Sequence, residues 1–306
     1  MKKLGILLFC GCFSLPVFAQ HYRIDRKLQR RLEALVKPFQ GTVGIYVHKL
    51  GTHKEAAIHA DSLFPTASMI KVAIQAVIFQ RIADSQLQYH QNLLYRDSLY
   101  YPGVDILGMA KDSTQIELSK VVMLMITESD NTAALWLQSL AGGGKAINQW
   151  LADHGYQYYR VNSRTPGREA AYRQYGWGQT TPREMARFLV QLRKGEIISP
   201  AASERMYRNL CHIYWDDVAL SQIPPYVQAA SKQGAVDDSR SEVVLVNAPH
   251  GDYVFCVDTK NIADQSWTHN NAAWELIRQV SALLWHYFEP HDHWRTPAGY
   301  ERFMQE

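Results

Sequence analysis

The sequence predicts an α/β protein of the α+β type, with one antiparallel sheet built from both ends of the chain and an all-helical lobe inserted between them. Strand-like alternation occurs at residues 41–60 and returns at residues 229–259. Helical periodicity dominates the region between them, to about residue 210. We therefore expect terminal helices to cover the sheet and a ligand site to lie in the cleft between sheet and helical lobe.

Each element follows from a local pattern. Thr181 is the expected cap of one helix, and Pro182 is its expected first residue. Residues 289–306 form a polar tail with no assignable pattern. The predicted strands span residues 41–50, 54–60, 229–235, 242–248 and 253–259. The predicted helices span residues 22–38, 118–126, 132–140, 145–154, 182–194 and 272–288, and a further helix begins at Pro65.

Residues 1–19 have the pattern of a cleaved secretory signal, with two lysines, an apolar core and a small residue, Ala19, at the end. A retained anchor is the alternative, although the run is short for a bilayer span. The mature protein would be periplasmic or secreted, without stable membrane insertion. Its single catalytic domain, residues 20–306, would contain a helical lobe at about 66–205, a sheet lobe at about 22–62 and 206–288, and the tail at 289–306.

Composition excludes several partner classes. The chain has 306 residues, 47% of them hydrophobic, and a formal net charge of +3. No basic stripe with interleaved aromatic residues occurs, so nucleic acid is not an expected partner. We expect a monomer that acts on a small molecule, without cofactor or metal. Cys211 and Cys256 remain after signal removal and could form a disulfide or be two buried thiols, of which the thiols are favoured.

A serine and a lysine three residues apart open an apolar run. Residues 64–71 read Phe-Pro-Thr-Ala-Ser-Met-Ile-Lys, so Ser68 and Lys71 would share one face of a first helical turn. A buried lysine with a lowered pKa can take the proton of a serine hydroxyl, and the helix dipole favours negative charge on that serine. The alternative is an exposed helix start with a solvated lysine.

Two later motifs supply further polar groups. Ser129-Asp130-Asn131 lies at a break between two apolar helices, where Ser129 could relay a proton to a leaving nitrogen and Asn131 could hold a substrate amide. A helix cap is the alternative for this motif.

Residues 231–235 read Ser-Lys-Gln-Gly-Ala on a predicted strand. Lys232 would hold a substrate carboxylate, with Arg240 as a second cation. Gly234 would let a ligand lie close along the strand. The alternative is an ordinary edge strand with an exposed lysine.

Ser-x-x-Lys, Ser-Asp-Asn and Lys-x-Gly, in this order and at these separations, resemble the class A serine β-lactamases and the related penicillin-binding proteins. The resemblance covers roughly residues 22–288. It implies that Ser68 is the nucleophile and Lys71 its activating partner. It also implies a proton shuttle at Ser129.

The same resemblance implies the substrate-binding groups: Asn131 for the amide side chain, and Lys232 with Arg240 for the carboxylate. The backbone N–H groups of Ser68 and of about Ala235 would form the oxyanion hole. The implied activity is opening of a β-lactam ring through an acyl-serine intermediate. A hydrolase for another amide or ester, such as a D-alanyl cell-wall peptide, and a non-turnover β-lactam sensor are the alternatives.

The loop that serves acyl release in this family departs from the family pattern. Thr165 stands where the resemblance expects a glutamate, and Glu169 stands where it expects an asparagine. If the loop makes a helical turn, Glu169 could reach the same water as a general base. Alternatively it is a solvated acid paired with Arg168 or Arg173. Gln179 replaces an aspartate that closes the loop by an ion pair in the family.

Two further positions complete these expectations. Gln233 occupies a position that is usually threonine or serine in the third motif, which bears on how a substrate carboxylate is held. Tyr172, Tyr175 and Trp177 could fix the loop by packing in place of the missing ion pair.

Overall fold

The framework is a six-stranded sheet assembled from both ends of the chain, as predicted. The computed structural model describes residues 22–304, so the predicted signal segment at 1–19 lies outside the described residues. The strands are β1 (Arg23–Ile24), β2 (Thr42–Lys49), β3 (Lys54–Ile58), β4 (Phe64–Pro65), β5 (Asn92–Leu94), β6 (Gln115–Glu117), β7 (Arg160–Val161), β8 (Gly178–Thr180), β9 (Ala229–Val236), β10 (Ser239–Val246) and β11 (Tyr253–Lys260). The large sheet has the order β1-β3-β2-β11-β10-β9 and is antiparallel except for the β1–β3 pair.

Helices cover both faces of this sheet. They are α1 (Arg26–Val36), α2 (Lys71–Ala83), α3 (Leu118–Thr127), α4 (Asn131–Leu140), α5 (Gly143–Asp153), α6 (Glu169–Tyr175), α7 (Pro182–Lys194), α8 (Pro200–Leu210) and α9 (Ala272–Phe288). The predicted mixed fold, with helices flanking the sheet, is confirmed. Between residues 22 and 304, no helix is both long and apolar enough to span a bilayer.

Strand alternation divides the interior into two clusters. On β10, Val244 and Val246 pack with α1 and α9, whereas Val243 and Leu245 pack with the helical lobe. Successive side chains of a strand point to opposite faces, so this alternation follows from the sequence. It decides which residues of β9 and β10 can reach a site on the helical-lobe side.

The start of the helix that follows Ser68 was predicted wrongly. Pro65 lies in β4, which pairs with β8, and Thr66 continues this contact by donating its N–H to Gly178 O at 2.9 Å. A 3₁₀ turn (Ala67–Ile70) follows, and α2 begins only at Lys71. The buried Tyr159 hydroxyl donates to Met69 O at 2.9 Å and joins the turn to the helical lobe. Ser68 therefore lies on a tight turn that is held from both sides.

Local capping explains other boundaries. Thr181 Oγ1 accepts the Glu184 N–H at 3.2 Å and Pro182 is the first residue of α7, as predicted.

The C-terminal tail contacts the rest of the protein, because Thr296 Oγ1 donates to Ser221 O at 2.6 Å. Cys211 and Cys256 are free thiols and form no disulfide; Cys256 is buried, as the favoured alternative predicted, whereas Cys211 is half-buried.

Candidate active site

Lys71 is the centre of a polar cluster that joins the first two motifs. Its Nζ lies 3.0 Å from Ser68 Oγ, 3.1 Å from Ser129 Oγ, 2.5 Å from Ser129 O and 2.8 Å from Asn131 Oδ1. The structure thus brings Ser68, Lys71, Ser129 and Asn131 together. The lysine side chain is fully buried, which excludes the solvated-lysine alternative, while Ser68 itself is partly accessible.

A second lysine meets the same serine from the sheet side. Lys232 Nζ donates to Ser129 Oγ at 3.1 Å and to Gln233 O at 3.1 Å, and its side chain is also fully buried. Ser129 Oγ therefore lies between the Nζ atoms of two lysines. This position suits a hydroxyl that passes a proton between a base and a leaving group.

Burial disfavours the charged form of both lysines. Burial lowers the pKa of Lys71 well below its ordinary value, and the charge of Lys232 lowers it further, against the opposing effect of Asp130. Burial lowers the pKa of Lys232 to about 7, although Glu242 favours its charged form. A neutral Lys71 amine is a proton acceptor in hydrogen-bond contact with Ser68, which is the requirement for activating the serine.

The backbone at the second motif is strained and well supported. Ser129 has a left-handed φ of +63°, which is uncommon for a residue with a side chain. Asp130, rather than Ser129, caps the next helix: its Oδ1 accepts the Ala133 N–H at 2.7 Å. Its Oδ2 accepts the N–H groups of Ile106 and Leu107, both at 2.7 Å. The helix cap that was the alternative for this motif is thus present at Asp130, whose carboxylate also ties residues 106–107 to the motif.

Strand β9 lies directly against the turn that carries Ser68. A methyl group on Gly234 would come within 2.3 Å of Thr66 O and 2.9 Å of Ser68 N, so only glycine permits this approach. Ala235 follows on the same edge strand. This close approach brings the backbone of β9 beside the Ser68 N–H, as the predicted oxyanion hole requires.

The structure does not bring Arg240 to this cluster. Arg240 pairs with Ala235 across β9 and β10, so it lies on the face opposite to Lys232. Its guanidinium lies 4.3 Å and 4.6 Å from the ring centroids of Trp267 and Trp274, and donates to Ser266 O at 2.8 Å. This placement does not fit the carboxylate-binding role that the resemblance implied. It fits a structural role, in which the guanidinium makes cation–π contacts with two indole rings.

Gln233 and Trp215 connect the third motif to the end of α3. Gln233 Nε2 donates to Trp215 O at 3.3 Å, and Trp215 Nε1 donates to Glu128 O at 2.8 Å. The Gln233 amide is thus engaged with a neighbouring loop. The sequence did not predict that Trp215 lies beside the third motif, because no motif or residue spacing points to it.

The loop of residues 162–179 is closed by hydrogen bonds from one charged side chain to two neutral amides. Arg168 donates to Asn162 Oδ1 at 2.8 Å and to Gln179 Oε1 at 2.7 Å, so Gln179 still fastens the loop although it is uncharged. Thr165 is buried against α5, where a methyl group on Gly144 would come within 1.7 Å of its Oγ1. Its hydroxyl donates to Ser163 O at 2.9 Å, so the side chain is engaged with its own loop and with α5.

Glu169 is not assembled with the cluster either. It is exposed at the start of α6, and its Oε1 accepts the Gly167 N–H at 2.9 Å. This backbone hydrogen bond lowers the pKa of Glu169, which makes it a weaker base. The structure places it neither in an ion pair within 4.0 Å nor in hydrogen-bond contact with Ser68 or Lys71 in the part of the chain described.

Trp177 is the loop residue that reaches the cluster. Lys71 Nζ lies 5.7 Å from its ring centroid, and its indole packs edge-on against Tyr101 at 5.4 Å. Both rings border a cavity of about 530 Å³ between the loop and α4, which Arg164, Glu169 and Arg173 also line. Packing by Trp177 was anticipated, but its contact with Lys71 was not.

Comparison with known proteins identifies the family. A model of the β-lactamase enzyme family matches residues 27–288. The chain belongs to the β-lactamase enzyme family. It is 28% identical to a β-lactamase of Streptomyces fradiae over 274 residues, which cover 84% of this chain and 86% of that protein. It is 22% identical to β-lactamase SME-1 of Serratia marcescens over 217 residues, covering 68% and 70% of the two chains.

Solved structures agree with this assignment. The structure of PBP-A superimposes with a TM-score of 0.78 at 26% identity, covering 88% of this chain and 98% of that one. A PBP-A variant in an acyl-enzyme complex with penicillin G gives a TM-score of 0.77, with the same identity and coverage. A reconstructed ancestral class A β-lactamase, 21% identical, gives 0.75 over 87% of this chain and all of that one, and shows the shared fold.

Proposed function

We propose that this chain is an exported serine hydrolase that opens β-lactam rings through an acyl intermediate on Ser68. The main observation behind this proposal is the position of Lys71, whose buried Nζ contacts Ser68 Oγ at 3.0 Å and Ser129 Oγ at 3.1 Å. A single neutral amine can therefore take the proton of the nucleophile and return it through the neighbouring hydroxyl. The relatives that are named β-lactamases support this substrate class.

In the acylation step, Ser68 Oγ attacks the lactam carbonyl while its proton passes to Lys71. The N–H groups of Ser68 and Ala235 stabilise the oxyanion. When the C–N bond breaks, Ser129 gives its hydroxyl proton to the leaving nitrogen and regains one from the Lys71 ammonium. A protonated Lys232 binds the substrate carboxylate, and Asn131 binds the amide of the acyl side chain.

Release of the acyl group is the slower step in this proposal. Water must attack the ester carbon and Ser68 must leave, which is fast only with a positioned base. None of the hydrogen bonds that Ser68 and Lys71 make within residues 22–304 involves a carboxylate. Glu169 faces solvent and binds Gly167 N–H instead.

This observation favours a second candidate in the same fold: a hydrolase for a D-alanyl cell-wall peptide or a related ester, for which β-lactams are slow substrates. The similarity to PBP-A, one variant of which carries a penicillin G acyl group, supports this candidate. The two candidates share the acylation step and differ in the lifetime of the acyl enzyme.

Intact-protein mass spectrometry after mixing with penicillin G, beside a chromogenic cephalosporin assay, separates them. An adduct that forms within seconds and persists for minutes supports the second candidate. Turnover without lasting adduct supports the first. Ser68→Ala must abolish both adduct and turnover, and no adduct and no turnover in the unmodified protein would reject both.

The variant Glu169→Gln tests whether Glu169 is the base that activates water for acyl release. Glu196→Gln is the matched control, because Glu196 is also an exposed glutamate. We expect the adduct lifetime to stay within about twofold for both variants, since the Glu169 carboxylate is held by Gly167 N–H. A tenfold longer lifetime in Glu169→Gln alone would identify Glu169 as the deacylation base. The export part is tested by the mass of the secreted protein, which should correspond to a chain beginning at Gln20.

A further inference from the structure

A second cavity lies on the sheet face opposite to Ser68. It has a volume of about 580 Å³ and is enclosed by α1, the end of α9 and the β2–β3 hairpin. Leu28, Val47 and Phe288 line it, and all three pack in or against the cluster between the sheet and the terminal helices. Because Ser68 faces the helical lobe, this cavity is separate from the active site.

Cations dominate the walls of this cavity. Within residues 22–304, no carboxylate lies within 4.0 Å of any of its four Lys and Arg side chains. Three of the four lie over aromatic rings instead. Lys27 and Arg31 lie 5.8 Å and 5.5 Å from the centroid of the Tyr287 ring. Lys49 lies 5.4 Å from the centroid of the Phe288 ring. The lining cations are Lys27, Arg31, Lys49 and Lys54, with His286 beside them.

The two acidic residues in the same walls are already engaged. Asp25 accepts the Tyr287 hydroxyl at 2.9 Å and 3.0 Å, and also accepts two N–H groups at the start of α1. Glu55 is paired with Arg183 at 2.6 Å, a residue outside the cavity lining. The Glu55 charge is therefore balanced from outside the cavity, whereas Asp25 is hydrogen-bonded to neutral backbone and hydroxyl donors. Asp25 can offset only one of the four cations, so the cavity walls keep a net positive charge.

We propose that this cleft binds a phosphate-bearing organic anion. The planar fork of Arg31 suits two phosphate oxygens, and the lysines add point charges around it. A lone phosphate would fill only a small part of the cavity, so the ligand includes an organic portion. That portion would contact the apolar wall of Leu28, Val47 and Phe288. A soluble organic phosphate and the phosphate of a lipid headgroup offer the same chemistry.

The test uses a double variant inside the cavity and a matched one outside it. Lys27→Gln/Arg31→Gln removes two cavity cations. Arg26→Gln/Arg30→Gln removes the same charge from the same helix at exposed positions that do not line the cavity. Binding of glycerol 3-phosphate is measured by calorimetry at low salt. Co-sedimentation is measured with vesicles of phosphatidylcholine alone and of equal parts phosphatidylcholine and phosphatidylglycerol.

We expect the cavity variant to bind at least about tenfold more weakly, because two charge-assisted contacts are lost. The outer variant should stay within about twofold. Lys49→Gln/Lys54→Gln, on the opposite wall, should reproduce the loss and serves as a second, independent pair. Acylation of Ser68 by penicillin G should not change in any of these variants, because the cavity lies on the other sheet face.

The outcomes are distinct. Binding of glycerol 3-phosphate supports the proposal with a soluble ligand as the source. Binding only to vesicles that contain phosphatidylglycerol supports it with a lipid headgroup as the source. Equal weakening by the inner and outer variants would mean general surface charge and would overturn the proposal, as would the absence of binding to either probe.

Discussion

Replacing Lys232 by methionine should make the protein more stable and less active. The Lys232 ammonium is fully buried, and its pKa falls from an ordinary 10.5 to about 7. At 1.36 kcal/mol per pH unit, that difference corresponds to about 5 kcal/mol against the charged form. Loss of the hydrogen bonds to Ser129 Oγ and Gln233 O offsets about 1 kcal/mol each. We expect a net stabilisation of about 2–3 kcal/mol.

The lowered pKa of Lys232 also predicts how the stability difference between the two proteins changes with pH. Between about pH 7 and 10.5, the unfolded chain binds the Lys232 proton and the folded protein does not. The free energy of unfolding contributed by this lysine therefore rises with pH across that window. The methionine variant lacks this contribution, so its advantage over the unmodified protein should be largest near pH 7 and should shrink towards pH 10.

Urea unfolding at pH 7, 8.5 and 10 measures this difference, with Lys120→Met as the control because Lys120 is exposed. In a thermal melt at pH 7, the expected gain of about 2–3 kcal/mol in the free energy of unfolding corresponds to a rise of about 4–6 °C in Tm. If Lys232→Met is less stable than the unmodified protein at pH 7, or if its advantage does not change with pH, the assignment of a desolvated ammonium is wrong.

The same variant separates binding from activation. Acylation by a carboxylate-bearing penicillin should fall about 10- to 100-fold, the value of one charge-assisted hydrogen bond. The charge of Lys232 is one of the causes that lower the Lys71 pKa. Its removal should therefore raise the Lys71 pKa and move the rising limb of the acylation rate to higher pH. An unchanged pH profile would mean that the two lysines are not coupled.

Three further substitutions test the supporting contacts. Gly234→Ala should slow acylation at least about 100-fold in stopped-flow mass analysis, because its methyl group would meet Thr66 O at 2.3 Å and displace β9 from the nucleophile turn. Asp130→Asn should lower the free energy of unfolding by about 2–3 kcal/mol in urea titrations, because Oδ1 and Oδ2 together accept three N–H groups. Arg240→Gln should lower Tm but leave unchanged the ratio of acylation rates for substrates with and without a carboxylate. A selective loss for the carboxylate substrate would instead restore the predicted role of Arg240 in binding it.

Local patterns predicted most element boundaries. Helices α7 and α9 span the predicted residues because their signals are local: Thr181 and Pro182 start one, and Asn271 caps the other. The start of α2 was wrong because Pro65 pairs with Gln179, a contact between distant parts of the chain. No window of neighbouring residues contains that information.

The expectation for Arg240 came from its place just after the third motif and from the resemblance to the family. The neighbouring strand was predicted to span residues 242–248, which does not include Arg240. The strand instead starts at Ser239, so the register with β9 places Arg240 opposite Ala235 and under the rings of α9 and its preceding loop. Serine and arginine carry little strand signal, and pairing with β9 overrides their weak preference.

The sequence predicted the cluster around Lys71 better than the loop beside it. Ser68 lies three residues from Lys71, but Ser129 and Asn131 reach Lys71 Nζ from 58 and 60 residues away, so only the resemblance to a family joined these motifs. The loop is fixed locally, because Arg168 contacts Asn162 and Gln179, six and eleven residues away. The loop departs from the family pattern at Thr165, Glu169 and Gln179, so the resemblance could not predict its path. That path leaves Glu169 exposed and hydrogen-bonded to Gly167 N–H, so the proposed acylating groups are assembled, while none of the hydrogen bonds of Ser68 and Lys71 within residues 22–304 involves a carboxylate of the loop.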